Sequence, residues 1–209
     1  MKLLKLKLLV FALIMFAAGS AFATYSYEVT VNTSSLTGSG ILDFQYDSFG
    51  GASSTATVSN FSTNGTLALL NDTLDAQNPS AVSGVLPGQV TFTNPNSVNE
   101  YIHAITFGSS LSFLVTLSSP ASGGQSTGSS AFSLGLFSDT INWNPLLNTT
   151  DPNYAGTVFT IDLNNNGSTS ANVLGGSPAV VSPTPIPPTA LLFGASLFGL
   201  IGIRRRAKN

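Results

Sequence analysis

The sequence has no cysteine, and its seven basic residues are confined to the two ends: Lys2, Lys5, Lys7, Arg204, Arg205, Arg206 and Lys208. Without cysteine there is no disulfide, so a folded domain must hold by packing alone. Residues 24–203 contain nine acids and no Lys or Arg: Glu28, Asp43, Asp47, Asp72, Asp75, Glu100, Asp139, Asp151 and Asp162. Such a stretch has nothing to neutralise phosphate with, which excludes nucleic acid as a partner. A polyanionic polysaccharide would be repelled unless a divalent cation bridged the two. His103 is the single histidine. Lacking thiol, amine and a second imidazole, residues 24–203 cannot run thiol or Schiff-base chemistry or build an ordinary zinc site.

What the middle does have is alternation of period two. Tyr25, Tyr27, Val29 and Val31 share one face of an extended segment, with Ser26, Glu28 and Thr30 on the other. Leu42, Phe44 and Tyr46 repeat the pattern. Further runs fall at 55–61, 66–70, 89–93, 101–107, 110–117, 131–137 and 157–163, about nine in all. Gly50-Gly51, Pro87-Gly88 and Asn94-Pro95-Asn96 punctuate them. Gly108-Ser109 between two of the runs predicts a hairpin. Short strands at this spacing, rich in Thr, Ser, Val and Phe, predict an all-β antiparallel sandwich, jelly-roll-like, as one domain over 24–174. Helix is expected only at the two ends of the chain. Residues 120–130, rich in Gly and Ser, predict a surface loop, and the Pro-rich stretch 175–188 an extended linker.

The ends read as addresses. Three lysines precede an apolar run over 8–18, and Ala21-Phe22-Ala23 puts small residues at the two positions a signal peptidase reads. Residues 1–23 are therefore expected to be a secretory signal peptide, cleaved after Ala23. At the other end Pro185-Ile186-Pro187-Pro188 leads into an uncharged run over 190–203, stopped by Arg204-Arg205-Arg206. As a helix that run would rise about 21 Å against a hydrocarbon core of about 30 Å, short for a permanent span. Basic residues at both ends suit a precursor whose termini face the cytoplasm while the acidic middle is exported.

Residues 183–209 resemble the PEP-CTERM sorting signal of Gram-negative bacteria: a Pro-x-Pro start, a short Leu- and Gly-rich apolar helix, and an Arg-rich end. Ile186 stands where the usual pattern has glutamate. The resemblance implies recognition and removal of the tail by an exosortase, a membrane protease-transpeptidase of exopolysaccharide-producing cells. Secretion machinery and signal peptidase would be the other partners. It further implies a tethered precursor at the inner membrane, released to the cell surface or extracellular matrix, with exopolysaccharide as its surroundings. Stretches such as Leu42-Asp43-Phe44-Gln45 and Thr106-Phe107-Gly108-Ser109-Ser110 also resemble a group of small proteins with such tails, for which no activity is implied.

Three places could carry chemistry. His103 would be the base of a Ser-His-Asp arrangement, but no Gly-x-Ser-x-Gly elbow accompanies it, and a sheet histidine held by a hydrogen bond is the expectation. Asp162, Asn164 and Asn166, followed by Gly167, have the order of a calcium loop. Val173 occupies the twelfth position, where a bidentate acid belongs, so at most a weak calcium site is implied, and a turn after a strand is expected. No other cofactor is expected. Trp143, among Asn142, Asn144 and Pro145, could stack on a sugar ring or fold down as a core plug. The resulting expectation is a non-catalytic surface or matrix protein of structural or adhesive role. The alternatives are a carbohydrate-binding module, or a secreted hydrolase that would need two carboxylates close together across a cleft.

Overall fold

Alternating apolar residues need a second apolar face to bury against, and here two sheets provide it for each other. A computed structural model describes residues 23–50, 54–68, 73–74, 81–94, 98–119, 128–147 and 149–184. Residues 1–22 of the expected signal peptide, Ala21 among them, and the expected tail motif (Pro185, Ile186, Pro187, Arg204, Arg205, Arg206) lie outside them. The strands are β1 (Ala23–Asn32), β2 (Ser39–Phe49), β3 (Ser54–Thr63), β4 (Thr66–Leu67), β5 (Thr73–Leu74), β6 (Val82–Gly84), β7 (Val90–Asn94), β8 (Asn99–Thr106) and β9 (Ser110–Ser119), followed by β10 (Ser129–Phe137), β11 (Thr157–Leu163), β12 (Thr169–Val173) and β13 (Ala179–Pro183). One sheet has the order β13-β1-β9-β3-β7-β6 and the other β12-β11-β10-β2-β8-β4, with β5 also on β8. All these strand pairs are antiparallel. Among the described residues the only helical piece is a 3-10 turn, Pro152–Tyr154, and no helix is long and apolar enough to cross a membrane.

The inward faces are those the alternation marks. Val29 and Val31 of β1, Leu42, Phe44 and Tyr46 of β2, and Leu111, Phe113, Val115 and Leu117 of β9 are buried. So are Phe132, Leu134 and Leu136 of β10 and Phe159 and Ile161 of β11. Phenylalanines meet across the gap. Phe113 from the first sheet lies edge-on to Phe44 of the second at 5.4 Å and reaches Phe159 at 6.2 Å. Phe92 lies edge-on to Phe132 at 5.9 Å.

Two expectations are corrected. The strands flanking Gly108-Ser109 do not form a hairpin: β8 pairs with β2, whereas β9 pairs with β1 and β3 in the opposite sheet. The chain crosses between sheets there, with Thr33 donating its N–H to the Ser109 carbonyl and Phe107 to that of Gly38. Both strands face the same core either way, so their alternation is identical in a hairpin and in a crossover. The linker over 175–188 is also part of the domain for most of its described length. Residues 179–183 form β13, an edge strand on β1, with Ala179 and Val181 packed against the core. An edge strand needs one row of backbone bonds only, and Pro183 at its end withholds none that the sheet requires. Likewise the loop expected to run to residue 130 gives way at Ser129, where β10 begins.

Both described ends of the chain lie at one pole. Ala23 pairs with Ser119 and Tyr27 with Pro183, after which Thr184 bonds through its N–H and Oγ1 to the Ser26 carbonyl at 2.8 and 3.0 Å. Tyr27 meets Thr169 of β12 at 2.6 Å, and Ser54 approaches Ser130 at 3.5 Å, joining the two sheets at this end. The β10–β11 connection, with Trp143, leaves from the opposite pole.

Truncating Phe113 would open the layer in its middle. Phe113→Ala is expected to cost about 3–5 kcal/mol, read as the shift in a urea unfolding curve.

Candidate functional site

The outward face of β2 carries Asp43, Gln45 and Asp47, because Leu42, Phe44 and Tyr46 take the inward positions. Register sets Gln45 opposite Glu100 of β8. The Gln45 side-chain N–H group donates to Asp43 Oδ2 at 2.8 Å and to Glu100 Oε1 at 3.3 Å, so one amide gathers two carboxylates. Asp43 is only 2% exposed, and Oδ1 of both Asp43 and Asp47 is buried without a hydrogen-bond partner. Asp47 and Asp162 flank Ala131 in the same row of the sheet.

With no Lys or Arg in this part of the chain, these acids repel each other uncompensated. Burial, and then the charge of Glu100, push the Asp43 carboxyl up to about 8. The same two causes push Asp47 up to about 6. Burial also raises Asp162, against a lowering bond from Ser170. Asp43 is thus placed to retain its proton near neutrality. A glycosidase pair needs both carboxyls open to a substrate, and Asp43, though on the outer face of its sheet, is buried. Among the described residues no group of three or more His, Cys, Asp or Glu side chains converges to hold a metal ion.

The other predicted positions scatter. His103 is buried, its Nδ1 3.0 Å from the Tyr101 hydroxyl and its ring stacked on that of Tyr101 at 5.9 Å. The Tyr101 hydroxyl also accepts the Leu86 N–H at 3.0 Å. Asp162, Asn164 and Asn166 belong to the β11–β12 hairpin and its turn, with Gly167 at φ 79°. Asn164 donates its side-chain N–H to the Ser168 hydroxyl at 3.1 Å, and the other two each have an oxygen engaged. Asn166 Oδ1 accepts from the Ser168 N–H and hydroxyl at 2.9 and 2.6 Å, and Asp162 Oδ2 accepts from Asn172 at 3.1 Å. Ala23 is the first residue of β1.

Trp143 is half-buried, its ring edge-on to Phe137 at 5.3 Å. Phe137 can lie flat on the sheet because Gly135 and Gly156 leave its space free. Asp139 builds the turn ahead of Trp143, accepting the Ile141 and Asn142 N–H groups at 2.8 and 2.7 Å. Those bonds, the Asn142 one foremost, hold its carboxyl below the usual range. Trp143 then takes a left-handed φ of 52°, a strained choice for a bulky residue and of the kind that collects at binding sites. Neither the acid cluster nor the Phe137 seat is marked by a motif. The one hint in the sequence was Asp-x-Gln-x-Asp on alternate positions of one strand.

Asp43 and Asp47 are held above the ordinary Asp value of 3.8, so the folded chain binds more protons than the unfolded one. Stability is therefore greatest below that value and is lost as pH rises through about 6 and about 8. Asp43→Asn keeps an acceptor for Gln45 without the charge. It is expected to gain on the order of a few kcal/mol over the parent near pH 9 and nothing near pH 4. Urea titrations at the two pH values check this, and a parent midpoint that does not fall between them contradicts it. Comparison with protein-family models, curated proteins and solved structures finds no match to this chain.

Proposed function

We propose that this chain is an exported, non-catalytic protein with a jelly-roll-like sandwich, sorted through its C-terminal tail by an exosortase-type enzyme. Its role after sorting is structural or adhesive, at the cell surface or in an exopolysaccharide matrix. The observation that carries the reading is the partition of charge. Every Lys and Arg sits beside one of the two apolar end segments, and the body between them has none. That body closes its own core, so it can stand outside a membrane while the ends do the addressing. Its acidity selects for a neutral polysaccharide, or for one bridged by divalent cations. Intact mass of cell-associated and released protein, with and without the exosortase-like enzyme, tests the route. Released material lacking 1–23 and the arginine cluster is expected; Arg204, Arg205 and Arg206 retained on released material would overturn the proposal.

A second reading, a carbohydrate-binding module, is favoured by one observation, the strained φ of a half-exposed Trp143 beside Asn142 and Asn144. As the sole tryptophan it reports alone. Under this reading its emission shifts when neutral oligosaccharides are titrated in, and that shift is absent in Trp143→Ala; an emission that stays unchanged across a glycan panel removes it.

A further inference from the structure

We propose that the outer face of the second sheet binds an amine-bearing polysaccharide, with sugar rings on Phe137 and Trp143 and ammonium groups on Glu100 and Asp47; this rests on the carbohydrate-binding reading of Trp143 and names its ligand class.

Register lays a polar row across that face. Asn172, Thr160, Ser133, Gln45 and Glu100 come from β12, β11, β10, β2 and β8 and stand side by side as successive Cα partners. Thr160, Ser133, Gln45 and Glu100 point outward because buried residues flank each of them on its own strand. At about 4.8 Å between strands, the row is about 19 Å long. Its hydroxyl, amide and carboxylate groups are hydrogen-bond partners for the hydroxyls of a sugar chain. An aromatic end closes the row. The Phe137 ring lies over Gly135, the next outward position after Ser133 along β10, and Trp143 stands edge-on to it at 5.3 Å. Both rings are half-buried, which leaves apolar surface for the flat face of a sugar.

Charge selects among sugars. Asp47 and Asp162 flank Ala131 in the neighbouring row, and the charge of Glu100 reaches both Asp43 and Asp47. Asp43, on the same face and 2% exposed, keeps Oδ1 without a hydrogen-bond partner, as does Asp47. Asp139 and Asp151, in the connection that carries Trp143, and Asp72 and Asp75, on either side of β5 in the sequence, add acids and no cation. Since residues 24–203 hold no Lys or Arg, the countercharge these carboxylates lack has to come from outside. A neutral chain fits such a face. An ammonium-bearing one is also drawn to it, through charge-assisted bonds to the half-exposed Glu100 and Asp47. A basic peptide would supply the same charge but is the poorer fit. Peptides dock on sheet edges or in grooves, and this is the face of paired strands with aromatic rings at one end.

The probes are a fluorophore-labelled glucosamine oligomer, the same oligomer N-acetylated, and an oligolysine of equal length. Each is titrated with the full-length protein in nonionic detergent near pH 6, and binding is read by anisotropy. The glucosamine oligomer is expected to bind about tenfold tighter than its N-acetylated form, and that preference should shrink as salt is added. Glu100→Gln combined with Asp47→Asn is expected to bring the two affinities together. Both substitutions remove repulsion, so a urea midpoint at or above the parent's shows that the fold is intact. Equal affinity of the parent for the two saccharides overturns the amine assignment and leaves the carbohydrate-binding reading standing. A preference that survives in the double variant overturns the face assignment. Oligolysine bound as tightly as the glucosamine oligomer assigns the face to basic peptides and overturns the inference as well. If neither saccharide binds, the inference falls, and the glycan panel read by Trp143 emission decides the underlying reading separately.

Discussion

The layer of phenylalanines between the sheets is the constraint on which the rest depends. Phe113, Phe61 and Phe92 come from one sheet and Phe44, Phe132 and Phe159 from the other, and their rings contact at 5.4–6.2 Å. A chain without disulfides, and without a Lys or Arg in its body, has no alternative staple. Burying one such ring is worth about 1.5–3 kcal/mol, and each aromatic pair adds about 0.5–1.5 kcal/mol. Several together are the right size to offset the entropy of ordering long turns rich in Gly, Ser and Asn. The buried Tyr46–Ser54 hydroxyl bond at 2.6 Å adds direction, fixing which part of β2 lies over the start of β3.

The same absence of cations that leaves the core to hold the fold also shapes its surface. In most proteins a carboxylate set into a sheet would meet a lysine or arginine across the strand. Here Asp43 and Glu100 meet a glutamine, and Asp47 feels the charge of Glu100. The proton is the only positive charge available to them, and the cluster is best regarded as sharing it instead of assigning it to one residue. Such a cluster favours the fold in acid over alkali, a reversal of the pattern in which paired carboxylates are lost on acidification.

How much of this the sequence discloses depends on whether a feature is local. β1, β2, β9 and β11 are legible because one face is buried and the other wet, and alternation records that directly. The edge strands β12 and β13 are not. Residues 171–173 are exposed throughout, and β13 buries little beyond Ala179 and Val181, so backbone ladders hold these strands and leave little trace in side-chain pattern. Partner choice is equally hidden. Nothing in the run from Tyr101 to Leu117 says that its halves belong to different sheets. The acid cluster joins residues 55 apart in sequence through one amide, a matter of register that no spacing rule reaches. Trp143 was visible as an oddity, but its seat on Phe137 needed Gly135 and Gly156 to be brought together by the β10–β11 pairing.

The strained loop and the clasped termini are linked by the plain up-and-down run of the strands. In an antiparallel sheet, a strand that begins at one pole must end at the other, so the end of β10 and the start of β11 are carried to the pole opposite Ala23 and Thr184. The longest described connection, residues 138–147 and 149–156, therefore lies at the pole opposite the two described ends. Asp139 and Asp151 each fold part of that loop by accepting backbone N–H groups, at 2.7–2.9 Å. The loop is thus built partly from its own acids, and it is also fastened to the sheets: Pro145 bridges to Phe137, the Leu146 N–H donates to the Leu136 carbonyl, and Leu146 and Leu147 pack against the core. The phenylalanine core, the pole where the described ends meet and the loop shaped by its own acids are therefore joined through β10, whose last residues serve both the core and the loop.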